Sequence, residues 1–446
     1  MKVGEIQRFS SVSSNRASSS LLAKLFIISL FIPGEFYLNL GGLRLELYRI
    51  ILMLSVLGNF RYAMNSGSSL HLGDKYINLA ILWAIVSILI NYGLSKGVEK
   101  SGILFIELFG AYYLARRTFT SIDNVISVYK TYMILVVCIL PFSFIEFLTG
   151  DKWIHDIASA ITGNRHIPAS LYTEKYMRLG MTRAASAFSH PILNGIVCVT
   201  VLPLAFYLYL SEKKFWHICL VAALVVAVIT SISSAAFLAL AIYIFVISFF
   251  KLKKKIGEGM KRIVWLIAAL AIVVQMVSNR GLVKLVIQNL TFNPHTGTHR
   301  LLIIEHLKDD ILRAPFFGSG IGAPWSAPFW MGQSIDNFWW ATAFFFGIPF
   351  PILVSLSVIY CIKKIPVSIR PNENDYFAYA IISMCLAFLF LGLTVHLFGK
   401  AQPLFFFVVG TSAAVLTFLC KEKSIPAADA IEERYPRLLW RRNYDV

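Results

Sequence analysis

Charge is what this sequence is shortest of: Asp, Glu, Lys and Arg make up 15% of its 446 residues, against about a quarter in an average soluble protein. Acidic residues are the scarcer kind, 24 against 41 Lys and Arg. With 57% hydrophobic residues and a mean hydropathy of +0.68, this shortage excludes a soluble globular domain and points to an integral membrane protein. The six cysteines (Cys138, Cys198, Cys219, Cys361, Cys385 and Cys420) form no CxxC pair and no Cys/His cluster. That argues against a disulfide framework and a structural zinc site, and no metal ligands are expected. No small-residue cleavage site follows the Ser-rich, basic N-terminus, so an uncleaved first span is expected rather than a signal peptide. No repeat of fixed period is evident. In a soluble chain the net charge of +17 would suggest nucleic acid; here its placement matters more than its size, and no nucleic-acid partner is expected.

The apolar runs predict an all-α polytopic membrane protein. About twelve segments meet the requirement of roughly 20 apolar residues per crossing: 21–33, 43–59, 76–94, 101–115, 128–149, 186–210, 215–231, 233–250, 262–278, 336–361, 376–396 and 402–420. The first is short and the sixth long, which predicts tilt or a break in both. The short loops with Arg61 and Lys75, Arg116 and Arg117, Lys213 and Lys214, Lys251 to Lys255, and Lys363, Lys364 and Arg370 all fall on the side of the two basic tails. That side is cytoplasmic by the positive-inside rule, so both termini are expected there. Two long loops, 150–185 and 279–335, then face outward, the larger one partly helical. Residues 1–20 and 421–446 are tails flanking one membrane domain, 21–420.

The polar interruption from Asn279 to Ser334 is the expected centre of function. It carries Arg280, Lys284, His295, His299, Arg300, Glu305 and His306, then Gly318-Ser319-Gly320-Ile321-Gly322, and leads into Asp336-Asn337-Phe338-Trp339-Trp340. From His299 it reads as a helix too polar to cross the bilayer, with Leu302, His306 and Asp309 near a 3.6-residue period. Arg300 offers phosphate a planar fork of donors, or serves as an interfacial cation. The glycines let backbone N–H groups approach an anion or a sugar, or make a tight loop without a ligand. Asp336 suits a general base or an N-cap, and Asn337 can bind hydroxyls. At the end of the other long loop, Arg183, His190 and Asn194 read as one helical face. Such residues at the end of a span face a cavity or join a buried network, because a central charge costs about 2.5–3.5 kcal/mol on insertion scales. Trp325, Trp330, Phe338, Trp339 and Trp340 either stack on sugars or belong to the interfacial belt. Arg49 can pair with Glu46 across one turn of the second span; Glu107 and Glu146 have no obvious partner in sequence.

Three blocks, Arg183 to Gly195 (RAASAFSHPILNG), His299 to Gly322 (HRLLIIEHLKDDILRAPFFGSGIG) and Asp336 to Gly347 (DNFWWATAFFFG), resemble in order and outward placement the O-antigen ligase and Wzy-type polysaccharide polymerase superfamily. These are bacterial inner-membrane, GT-C-like glycosyltransferases. The resemblance implies an inverting, metal-independent and cofactor-free transfer of glycan from undecaprenyl diphosphate to an acceptor hydroxyl at the periplasmic face. It casts Arg183 and Arg300 as holders of the diphosphate and Asp336 as the base. His190, Asn194, His299, His306, Arg280, Gly318, Gly320 and Asn337 would be substrate-binding residues. Ligases carry the His of a His-Asn pair where this sequence has Asp336, which favours a polymerase of O-antigen or exopolysaccharide repeats over a ligase acting on lipid A core or protein. The Ser-Arg common between the seventh and eighth spans is here Ser231-Ile232-Ser233-Ser234, so that phosphate contact is missing or supplied elsewhere, by Arg280 or Lys284. The implied partners are the lipid-linked glycan and membrane lipid, with a chain-length regulator as a further candidate. A twelve-span transporter or lipid-linked-sugar flippase is the reading from another class; the asymmetry of the chain and its outward polar residues count against it.

Overall fold

A computed structural model describes residues 20–40, 43–65, 70–164, 177, 178, 180–256, 294–367 and 373–424. The ninth expected span, Arg280, Lys284 and most of both tails lie outside the described residues. In chain order the elements are α1 (Ser20–Leu30), a hairpin of β1 (Tyr37–Leu40) and β2 (Leu43–Glu46), α2 (Leu47–Asn65), α3 (Leu72–Phe105), a π-helical turn (Ile106–Gly110) and α4 (Ala111–Thr118). There follow α5 (Ile122–Thr149), α6 (Trp153–Thr162), a short hairpin of β3 (Met177–Arg178) and β4 (Met181–Thr182), α7 (Pro191–Thr200), α8 (Leu202–Glu212), α9 (Phe215–Thr230) and α10 (Ser234–Ile256). The last five are α11 (Pro294–Arg313), α12 (Phe338–Phe346), α13 (Pro349–Lys364), α14 (Glu373–Leu391) and α15 (Ala401–Ser424).

Among the described residues, four helical runs are long and apolar enough to cross a membrane: Leu72–Thr118, Ile122–Thr149, Pro191–Glu212 and Ala401–Lys421. Large apolar side chains point outward along them and their neighbours, as at Leu54 and Leu57 on α2, Leu82 and Ile90 on α3 and Ile134 on α5. Such continuous exposed apolar surface suits lipid rather than water.

The 47-residue run Leu72–Thr118 is two limbs rather than one long rod. It turns back at Gly93, whose φ of 66° and ψ of 179° are not helical, a conformation glycine adopts without a Cβ penalty. Gly97 then packs on Leu89 across the turn. At the far end Asp74 meets Arg116 at 3.0 Å and Tyr112 at 2.6 Å, all three buried. The hairpin thus agrees with two expected runs, 76–94 and 101–115.

Three other expectations change. Residues 43–46 form a strand paired with Tyr37–Leu40, so the second span starts at Leu47. With Glu46 outside the helix, Arg49 bonds Glu107 instead, at 2.7 Å. The run 186–210 becomes helical only at Pro191, because proline disfavours helical backbone in the residue before it; its break at Val201, between α7 and α8, is the one its length predicts. Arg183, His190 and Asn194 therefore do not share a helical face. The tenth run breaks at Gly347, between α12 and α13.

Candidate functional site

The bend between α9 and α10 meets the irregular segment 178–190, and polar residues gather there. Between α9 and α10 the chain bends through Ser231, Ile232 and Ser233, with Ile232 at a φ of 37°. A break leaves helix carbonyls without intrahelical partners, and here three consecutive ones are taken by the 178–184 segment. The Ala184 N–H donates to the Thr230 carbonyl at 2.9 Å, Arg183 Nε to Ser231 at 3.3 Å, and Arg178 Nη1 to Ile232 at 3.2 Å and to Ser234 Oγ at 3.1 Å. Arg178, given no role in the sequence, thus stands beside Ser231 to Ser234.

The 184–190 segment is irregular and braced from behind. Glu146 accepts from the N–H groups of Ala185 (3.0 Å) and Ser186 (2.7 Å), where Ser186 has a φ of 56°. Both ring nitrogens of His155 face acceptors, Glu35 at 2.8 Å and the Phe188 carbonyl at 3.0 Å. Asn194 is fully buried and donates to the Ala184 carbonyl at 2.9 Å. Its amide belongs to this network and not to a ligand. His190 caps α7, Nδ1 accepting from Ile192 N–H at 3.1 Å, and its ring stands 6.0 Å from that of Phe398.

On the opposite wall, α11 confirms a helix in the larger loop but buries a different stripe: Ile303, Leu307 and Ile311, which pack on Trp325, Met331, Ile335 and Phe344. Arg300 continues that stripe one turn earlier, by helical periodicity. Burial pushes its guanidinium below the usual arginine range, Asp336 acting against this and Arg178 with it. Its Nε is buried and has no hydrogen-bond partner among the described residues. His299 and His306 lie off the stripe and are half-exposed.

Asp336 is not the cap of α12. Asn337 is, its Oδ1 accepting from Trp340 N–H at 3.1 Å, while its Nδ2 donates to the Leu393 carbonyl at 2.9 Å. Asn337 is therefore occupied by the fold, and Asp336, one residue earlier and half-exposed, accepts only from Ser334 Oγ at 2.9 Å among the described residues. A cavity of about 250 Å³ lies here, lined by Ile192, Ser334, Asp336, Val395, His396 and Phe398. His396 is the second residue missed in the sequence, where it was absorbed into the end of an apolar run. An ionisable group so placed is a functional candidate by default, which was the available signal. Burial holds its imidazole down to about 4, with the Asp336 carboxylate opposing.

The glycine run is placed by packing. The N–H groups of Gly318, Ser319 and Gly320 donate to the carbonyls of Ala314, Phe344 and Phe345, and the carbonyls of Phe316, Phe317 and Ile321 accept from Trp83, Asn91 and Tyr92 on α3. Gly318 and Gly320 so have no N–H left for an anion or sugar, and the run wedges into the break at Gly347. The aromatics divide: Trp325, Phe338 and Trp339 are packed into the protein, with Trp339 Nε1 on the Leu389 carbonyl, while Trp330 is exposed. No group of three or more metal-ligating side chains is found among the described residues.

Compared with models of known protein families and with curated proteins, the sequence matches none. The site is consequently read from its own chemistry.

Proposed function

We propose that this protein is a membrane glycosyltransferase that polymerises lipid-linked oligosaccharide repeats on the outer side of the bacterial cytoplasmic membrane. The observation that carries the reading is the meeting of Arg178 and Arg183, from one segment, with Arg300 from another, beside Asp336 and a cavity. Cations aimed at one place suit the charge that develops on a departing diphosphate, and a carboxylate at the cavity suits the attacking hydroxyl.

In the twelve-span topology with both termini cytoplasmic, Asp74 and Arg116 face inward and this site faces the periplasm. Glycan would leave undecaprenyl diphosphate held by the arginines and join the acceptor hydroxyl with inversion, in a reaction that asks for no metal or cofactor. A ligase is the second reading, and His396 favours it, since an imidazole stands in the cavity although position 336 is Asp. A transporter or flippase finds less support, because Arg178, Arg300 and Asp336 act on one another in the expected outer loops or at their edge rather than within the spans.

Deleting the gene separates the readings. Single lipid-linked repeats without polymer mark a polymerase, accumulated lipid-linked polymer marks a ligase, and unchanged glycans refute both. Within the site, Arg183→Ala and Arg300→Ala should abolish polymer at normal protein level, and wild-type polymer in both would sink the assignment.

A further inference from the structure

The cavity at Asp336 has a second ionisable wall. We infer that His396 is a catalytic residue of this site: its neutral imidazole takes the proton of the acceptor sugar hydroxyl, and Asp336 beside it stabilises the imidazolium that forms. The inference rests on the glycosyl-transfer reading above.

Position comes first. His396 and Asp336 line the same cavity of about 250 Å³, just below the about 300–1,000 Å³ of sites for drug-sized ligands, a size for one sugar ring. The loop that carries His396 is fixed on both sides. Leu393 and Val395 accept from Asn337 and from the Phe338 N–H, at 2.9 and 3.1 Å, and Lys400 is buried with its ammonium on the Ile32 carbonyl. The imidazole itself sits between the rings of Phe345 and Phe398, at 6.0 and 6.5 Å. No hydrogen bond among the described residues uses its nitrogens, so a lone pair is free for a substrate.

The charge balance follows. Burial holds the imidazole neutral but weakens it as a base, and the nearby carboxylate offsets this by favouring the charged form as the proton arrives. The acceptor O–H bond breaks and its proton passes to imidazole, while the oxygen forms a bond to the anomeric carbon. The bond from that carbon to the diphosphate oxygen breaks, and its electron pair leaves on the diphosphate. The imidazolium later returns its proton to water.

The test uses the full-length protein in the deletion strain and in reconstituted vesicles, with lipid-linked repeats extracted from that strain as substrate. His396→Ala should lower the rate about 10²- to 10⁴-fold, the usual contribution of a general base, and added imidazole should recover at least about tenfold of it. Wild-type polymer in His396→Ala, with none in Arg300→Ala, overturns the role of His396 and leaves glycosyl transfer standing. Wild-type polymer in both overturns both. A loss that imidazole leaves untouched overturns the base role in favour of packing, and His396→Gln, with a wild-type thermal midpoint and the same loss, excludes misfolding as the cause.

Discussion

Replacing Gly347 by alanine tests the joint on which the outer wall of the site hangs. Gly347 has a φ of 86°, and a Cβ there would lie 1.8 Å from the Phe316 carbonyl oxygen and 2.3 Å from its carbon. With a ψ of 163° beside that φ, the backbone alone costs a residue with a Cβ about 1–3 kcal/mol. To relieve the overlap the 315–320 loop must move outward, and three backbone bonds cross that seam: Ile348 to Pro315 at 2.8 Å, Ser319 to Phe344 at 2.7 Å and Gly320 to Phe345 at 3.1 Å. At about 0.5–1.5 kcal/mol each, their loss brings the total to about 2.5–7.5 kcal/mol. Gly322→Ala is the matched control, since Gly322 has a φ of 81° with nothing within 4 Å of its Cβ position, and should show the backbone part alone. Thermal unfolding of the purified protein in nanodiscs reads both. Gly347→Ala should melt lowest by several degrees, and equal midpoints for the two variants would refute the wedge described for the glycine run.

Two further outcomes are expected. Glu146→Ala removes two hydrogen bonds to a charged acceptor, worth about 1.5–3 kcal/mol each; the thermal midpoint should fall and trypsin should cut faster at Arg178 or Arg183, so unchanged values in both assays would count against the brace. For His396, a folded-state value of about 4, below the ordinary 6.5, means that the unfolded chain takes up the proton first. Stability is then complete above pH 6.5 and declines as pH falls toward 4, by up to about 3 kcal/mol. Comparing thermal midpoints between pH 7.5 and 4.5, His396→Gln should flatten this decline, and an unaltered slope would show that His396 is not its source.

Much of this was legible in the apolar runs. Both limbs of the Gly93 hairpin and the short first run could be placed because a membrane helix needs only length and hydropathy to be seen, and the helix near His299 because of its 3.6-residue period. The ends of the helices were harder. Asn194, Asn337 and the glycine run were read as ligand contacts because a polar group at the end of a span looks the same in sequence whether it faces a cavity or a neighbouring backbone. Arg49 illustrates the limit: its partner Glu107 is remote in sequence, while Glu46 is near in sequence and outside the helix.

The structural and functional roles of the arginines need not compete. A helix break within a bundle exposes carbonyls that lipid cannot satisfy, so a fold that bends at Ser231 to Ser233 must supply donors there. A lysine would meet that need with one ammonium. Guanidinium carries five N–H donors in a fixed fork, and Arg178 commits one nitrogen, Nη1, to the contacts with Ile232 and Ser234. The remaining donors stay in the plane of the group and close enough to Arg300 to depress it. The two like charges disfavour one another, and the Asp336 carboxylate offsets this at Arg300. Joints of this kind are where a membrane bundle can hold cations in place before its substrate arrives.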